Sequence, residues 1–114
     1  MAARKLEGTA QALQIFIGND DMWETEPLYR VLVHRLRLAG VAGVTVTRGI
    51  AGFGLSGQVR TADRLGGATD LPLVVTVIDM PERIASLLPI VDELVQDGLV
   101  IRFDVEILRH QDTN

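Results

Sequence analysis

Arg48 and the glycines after it are the residues of this chain whose types and spacing could bind a small anion. Residues 48–54 read Arg-Gly-Ile-Ala-Gly-Phe-Gly and directly follow an apolar, strand-like run. Glycines let a backbone approach a ligand closely, and successive N–H groups can surround an anion. An arginine adds charge-assisted hydrogen bonds. The alternative is a glycine-rich bend that only lets the chain leave a sheet, with Phe53 in the core. The candidate ligand-binding residues here are Arg48, Gly49, Gly52, Phe53 and Gly54.

A long polar segment follows these glycines and holds two more arginines. Residues 55–70 are polar and rich in glycine, and the next apolar run begins at Leu71. Loops longer than about 12–15 residues are uncommon in compact domains and are usually functional or disordered. Arg60 and Arg64 therefore join the candidates for contact with an anionic ligand or an acidic partner. The alternative is that both are solvated charges on a pliable loop.

The remaining polar residues predict neither a catalytic site nor a metal site. The acidic stretch at 20–26 lacks the spacing of a calcium loop, and acids ahead of a helix also stabilise the helix dipole. His34 and His110 have no serine or acid at triad-like spacing, and the chain has no cysteine. We therefore expect no enzyme activity. Trp23, within the acidic stretch, is expected to plug the core or an interface, with stacking on a ligand as the alternative.

Length and composition bound the class of protein. The chain has 114 residues, 47% hydrophobic but only 4% aromatic, which predicts one domain with an aliphatic core at about 11–110 and a flexible tail at 1–10. The net charge of −4 argues against a nucleic-acid binder, which normally carries a basic face. We expect a cytoplasmic protein, because neither a signal peptide nor an apolar run of about 20 residues is present.

Apolar periodicity predicts six elements. They are a strand at 12–17, a helix at 28–39, strands at 43–48 and 71–78, a helix from 81 that ends before Gly98, and a strand at 99–107. Asp79 and Glu82 read as a capping box for the second helix, and Pro89 is expected to kink or split it. The strand at 71–78 is apolar on both faces and is expected to be central and covered on both sides. The last strand alternates strictly between apolar and charged residues.

This order of elements predicts an α+β fold of the ferredoxin-like type. Two β-α-β halves usually interleave into one four-stranded antiparallel sheet with both helices on one face. The other face of such a sheet would have few charges in this sequence, so it needs a cover. Self-association is the simplest cover, since most soluble oligomers are homo-oligomers.

Several strings of the sequence resemble a small bacterial PII-like family, the domain of unknown function one-ninety. The match is carried by 42–54, which ends in Gly52-Phe53-Gly54, by 70–79, by Leu87-Leu88-Pro89 and by Leu28-Tyr29. It runs from about residue 11 to residue 108. The string Arg-Gly-Ile-x-Gly-Phe-Gly is fairly specific, whereas the remainder is ordinary aliphatic patterning.

The resemblance implies a homotrimer of ferredoxin-like subunits that acts in regulation. PII signalling proteins bind adenine nucleotides between subunits and dock on partners such as membrane transporters through a long loop, the T-loop, here at about 55–70. Members of the family resembled are often encoded beside fluoride channels, which makes a transporter or ion channel the implied partner. The PII loop that holds phosphates has no basic counterpart here, because Gln96-Asp97-Gly98 contains no lysine or arginine. Arg48 to Gly54 and the loop arginines would therefore supply most of an anion site.

Three functional hypotheses follow. The first is a regulatory protein that senses a small anionic metabolite or nucleotide, an adenine nucleotide being one candidate, and changes its loop for docking. The second is a structural or cation-associated trimer of the same fold that senses nothing. An enzyme is a third hypothesis, for which the sequence supplies no set of acid, base and nucleophile.

Overall fold

One main sheet and two helices make up the fold of the chain. The structure is a computed structural model and describes residues 5–54, 60–61 and 70–111. In chain order the elements are β1 Gly8–Gly18, β2 Met22–Trp23, β3 Glu26–Pro27, α1 Leu28–Leu38, β4 Val44–Arg48, β5 Ala51–Gly52, β6 Arg60–Thr61, β7 Pro72–Asp79, α2 Pro81–Leu94 and β8 Leu99–Ile107.

The main sheet has four antiparallel strands in the order β4-β7-β1-β8. This order interleaves the two β-α-β halves, so the ferredoxin-like α+β prediction is confirmed. The strands β7 and β1 lie in the centre, as the apolar run at 71–78 predicted for β7. The strands β4 and β8 form the two edges.

Both helices pack on the same face of this sheet, which we call the helix face. The core there is entirely aliphatic, as the low aromatic content predicted. From the helices it contains Leu28, Leu32, Leu36, Ile84, Leu87, Val91 and Leu94, and from the strands Leu13, Ile15, Ile17, Leu73, Val75 and Val77. The strand residues all have odd numbers, because alternate side chains of a strand point to opposite faces.

The opposite face of the sheet, the open face, has no helix over it. Residues directly opposite each other in a ladder share a face, and Phe103 pairs with Ala12 while Arg102 pairs with Leu13. The last strand thus turns its apolar side away from the helices. None of the residues that β1, β4, β7 and β8 place on the open face is charged. The apolar members larger than alanine are Phe16, Val74, Ile78, Leu99, Ile101, Phe103, Val105 and Ile107.

The flexible N-terminal tail was predicted to extend to residue 10, but the ordered chain begins earlier. Strand β1 starts at Gly8, and Gly8 to Ala10 pair with β8. Leu6 is buried, and its backbone N–H donates to Nδ1 of His110 at 2.8 Å. This segment is held because β8 extends far enough along β1 to pair with it. Residues 1–4 lie outside the described part.

The start of α2 differs from the predicted capping box. Met80 is the N-cap residue and no side chain caps the helix. Asp79 is instead fully buried, and its two oxygens accept the N–H groups of Met80 at 2.7 Å and of Ala42 at 2.9 Å. The carboxylate therefore joins the α1–β4 connection to the end of β7, which a local sequence motif cannot indicate.

Pro89 does not split α2, which is one helix from Pro81 to Leu94. A proline removes the hydrogen bond to the carbonyl four residues earlier, here that of Ala85. Both Pro89 and Ala85 are exposed, so water can replace the lost donor. Neither α1 nor α2 is long and apolar enough to cross a membrane.

Candidate functional site

The candidate site is the loop base, where the chain leaves β4 and returns to β7. We define the loop base as residues 18–21, 48–52 and 70–72. Gly49 donates its N–H to the carbonyl oxygen of Pro72 at 2.7 Å. A Cβ at Gly49 would stand only 2.8 Å from Cγ of Pro72. Glycine is thus required here so that the departing and returning segments can touch, and its N–H is already used.

Arg48 is the cation of the loop base. It is the last residue of β4, an edge strand, and its side chain is exposed. Its Nη2 donates to Oδ1 of Asn19 at 2.7 Å. An amide oxygen carries no net charge, so the guanidinium is held without being neutralised.

Residues at the end of β1 fasten the returning segment as well. The N–H of Asn19 donates to the carbonyl oxygen of Leu71 at 2.8 Å, and the N–H of Asp20 donates to Oδ1 of Asp70 at 3.0 Å. Asp70 has φ +48°, a left-handed conformation that non-glycine residues seldom adopt. The hydrogen bond from Asp20 helps to hold that turn.

A short ribbon continues the chain beyond Arg48. Ala51 pairs with Thr61 and Gly52 pairs with Arg60, which form the strands β5 and β6. The segment expected to abandon regular structure thus contains a two-stranded stem. The structure brings Arg60 opposite Gly52 along the backbone, whereas Arg64 and most of the segment at 55–70 lie outside the described residues.

The apolar residues of the string after Arg48 are solvent-exposed. Phe53 is 74% exposed and Ile50 is 78% exposed, so the alternative that places Phe53 in the core is wrong. An anion nest alternates residues in the left-handed and the αR conformation. None of Gly49, Gly52 and Gly54 is left-handed. Any anion at the loop base would therefore rely on side chains, with Arg48 first among them.

The other candidate residues of the sequence have structural settings. Trp23 is half-buried and packs against the core, which agrees with its expected role as a plug. The acidic stretch forms the β2–β3 hairpin, with Glu24 left-handed at φ +54°. Within the ranges the structure describes, no group of three or more His, Asp or Glu side chains could hold a metal ion. His34 is exposed on α1.

Sequence reasoning missed Asn19 and Asp70 as members of the loop base. Asn19 lies 29 residues before its partner Arg48, and Asp70 lies 50 residues after Asp20. The string Gly-Asn-Asp-Asp at 18–21 signals a turn, because these residue types favour turns. That signal marks the turn but does not name what the turn touches.

Comparison with known proteins agrees with this architecture. The model of the DUF190 family, described as an uncharacterized ACR, matches residues 10–107. A UPF0166 protein of Aquifex aeolicus is 34% identical over 96 residues, which cover 84% of this chain and 90% of the relative.

Solved structures with the same fold come from CPII, a nitrogen regulatory PII-like protein of Thiomonas intermedia K12. The structure bound to ADP and bicarbonate has a TM-score of 0.64 and 20% identity, covering 95% of each chain. Another, bound to ADP, AMP and bicarbonate, has a TM-score of 0.62 and 18% identity, covering 95% of this chain and 94% of that one. At this identity the likeness concerns the fold. The protein belongs to the DUF190 family and has a PII-like fold.

Proposed function

We propose that this protein is a PII-like regulatory protein that binds a small anionic ligand, with an adenine nucleotide as the leading candidate. The observation that carries the proposal is the loop base, where the exposed Arg48 at the sheet edge has a neutral partner and, among the described residues, no ion pair. CPII, which has the same fold, has been solved with bound ADP and bicarbonate. Both ligands are anions, which suits a site built around a guanidinium.

The proposed assembly is a homotrimer formed through the open face. The residues that the four strands place on this face include no charged one, and its exposed apolar side chains include Phe103 at 43% and Leu99 at 57% exposure. Contiguous apolar surface of this kind commonly marks an interface. The resemblance to PII proteins supplies the expected number of subunits. Arg48 pairs with Leu73 and so lies on the helix-face side of the edge strand β4. The ligand is proposed to bind at this edge of the sheet, beside a neighbouring subunit.

The loop at 55–70 is the proposed docking element. Its stem, β5 paired with β6, begins only three residues after Arg48. A ligand held by Arg48 would therefore act directly on the root of the loop. The ligand would change the loop only by as much as it prefers one loop state over another. A transporter or ion channel is the proposed partner, and the role is regulatory rather than enzymatic.

Titration calorimetry with ADP, with and without bicarbonate, tests the ligand. We expect the wild type to bind ADP and Arg48→Ala to bind it about 10- to 100-fold more weakly, because a charge-assisted hydrogen bond contributes roughly 1.5–3 kcal/mol. Arg37→Ala removes an exposed arginine from α1 and is the matched control, with unchanged affinity expected. A wild type that binds neither ADP nor bicarbonate would contradict the proposal.

One observation favours the second hypothesis, a structural or cation-associated trimer. The N–H of Gly49 is already donated to Pro72, and the α2–β8 connection at 96–98 offers no cation to a phosphate. Under this hypothesis neither the wild type nor Arg48→Ala would give heat of ADP binding, and both would be trimers. Calorimetry with divalent cations would then separate a cation-associated protein from a purely structural one.

A further inference from the structure

The loop base contains three acids, and yet its arginine is held by a neutral residue. Asp20, Asp21 and Asp70 all belong to the loop base. Among the described residues, however, the hydrogen-bond partner of Arg48 is Oδ1 of Asn19 at 2.7 Å, and no carboxylate lies within ion-pair distance. An acid in place of Asn19 would neutralise the guanidinium, whereas the amide does not.

The three acids are hydrogen-bonded to other N–H groups. Oδ2 of Asp21 accepts the N–H of Gly18 at 2.8 Å, and Oδ1 of Asp70 accepts the N–H of Asp20 at 3.0 Å. Oδ1 of Asp20 accepts Nδ2–H of Asn19 at 3.0 Å. These bonds orient each carboxylate toward a local N–H donor, and among the described residues none of the three acids forms an ion pair with Arg48.

Asn19 is itself a fixed acceptor. Its backbone N–H donates to Leu71, its Nδ2 donates to Asp20 and its Oδ1 accepts from Arg48. A side chain tied at both ends loses little further freedom when a ligand arrives. A guanidinium has five N–H donors, so one bond to Asn19 leaves a two-pronged edge for a phosphate or carboxylate group.

We infer that Asn19 is a positioning residue, which fixes the guanidinium of Arg48 for an incoming oxyanion without cancelling its charge. The inference rests on the proposed function and adds the residue that prepares the site. It assigns the ligand group as a phosphate or carboxylate, since these match a two-pronged arginine edge. Pre-organisation of this kind raises affinity by lowering the ordering cost of binding.

Asn19→Asp separates positioning from a merely structural role. The substitution keeps the shape of the side chain and converts the neutral hydrogen bond into an ion pair with Arg48. If Asn19 only braced the loop base, this variant would bind ADP as the wild type does. We expect instead at least a tenfold loss of ADP affinity by calorimetry, measured at a temperature where the variant is folded, because the new carboxylate gains Arg48 but loses the hydrogen bond to Asp20. Asn19→Ala should lose a few-fold.

Two controls complete the experiment. Ala85→Glu adds the same charge at an exposed position of α2 and should leave ADP affinity unchanged. Adenosine, which lacks phosphate, should bind the wild type and Asn19→Asp equally, so the discrimination between ADP and adenosine shrinks only in the Asn19 variants.

The outcomes distinguish the inference from the function on which it rests. Unchanged ADP affinity in Asn19→Asp overturns the inference while leaving the proposed function intact. A wild type that binds neither ADP nor inorganic phosphate overturns both.

Discussion

The two faces of the main sheet are apolar to a similar degree but are covered very differently. The helix face is closed by α1 and α2, and residues such as Leu13 and Val75 are completely buried there. The open face carries Phe16, Val74 and Phe103, and neither of the two described helices lies over them. Polar contacts on it stay within the sheet, as in the bond from Nε2 of Gln14 to Oγ1 of Thr76 at 3.4 Å.

The difference teaches that one sheet can serve both folding and assembly. Burial on the helix face stabilises a single subunit at any concentration, whereas the open face is the surface proposed to be buried against other copies. The last strand makes the contrast sharpest, because its charged side, with Arg102, Asp104 and Glu106, is the one on the helix face. As an edge strand β8 lies beyond the cover of the helices, so its charges remain exposed there.

The largest expected effect comes from removing a buried side chain on the helix face. Leu32→Ala empties a site with no exposure, and truncations of this kind cost about 2–5 kcal/mol. Leu38→Ala makes the same change in the same helix at 71% exposure and should cost less than about 0.5 kcal/mol. Urea unfolding measures both. Equal losses of unfolding free energy would mean that burial on the helix face does not stabilise the subunit.

An aspartate on the open face should break assembly while leaving the subunit folded. Phe103→Asp would bury a charge in the proposed interface, so we expect monomers by light scattering at concentrations where the wild type is a trimer. Arg102→Asp introduces the same side chain one residue earlier, on the helix face, and should leave the trimer intact. A monomeric wild type would refute this contrast between faces.

A smaller effect is expected at the glycine that leads into β8. A Cβ at Gly98 would lie 2.6 Å from the carbonyl oxygen of Phe16, a backbone atom. Gly98→Ala must therefore push β8 away from β1, at a cost of about 1–3 kcal/mol in unfolding free energy. Gly43→Ala is the control, because nothing lies within 4 Å of its Cβ position. Similar stability of the two variants would show that this close approach does not set the edge of the sheet.

The sequence was sufficient to predict the two helices and the four strands of the main sheet, but not which face of the sheet each side of a strand belongs to. Strict alternation at 99–107 predicted a strand with one apolar side, and that is correct. Alternation does not indicate, however, which side of the strand faces the helices. That is decided by the pairing of Phe103 with Ala12, 91 residues away. A register shift of one residue would reverse it.

The loop base was predicted only in part for a similar reason. The string after Arg48 indicated a special exit from β4, because its glycines weaken a strand and a long polar segment follows them. The contacts of that exit come from Asn19 and Pro72, which are distant in sequence and carry no local mark of their role. The involvement of the candidate residues in ligand binding stays a prediction.

The buried carboxylate of Asp79 has a consequence for the timescales of motion in the chain. Its bond to the N–H of Ala42 lies in a connection flanked by Gly40 and Gly43, which composition alone would mark as loose. An amide hydrogen held by a fully buried acceptor can exchange with solvent only when the surrounding structure opens. Ala42 itself is exposed, yet in deuterated buffer its amide should therefore exchange more slowly than the amides of an ordinary loop, because this bond must open first.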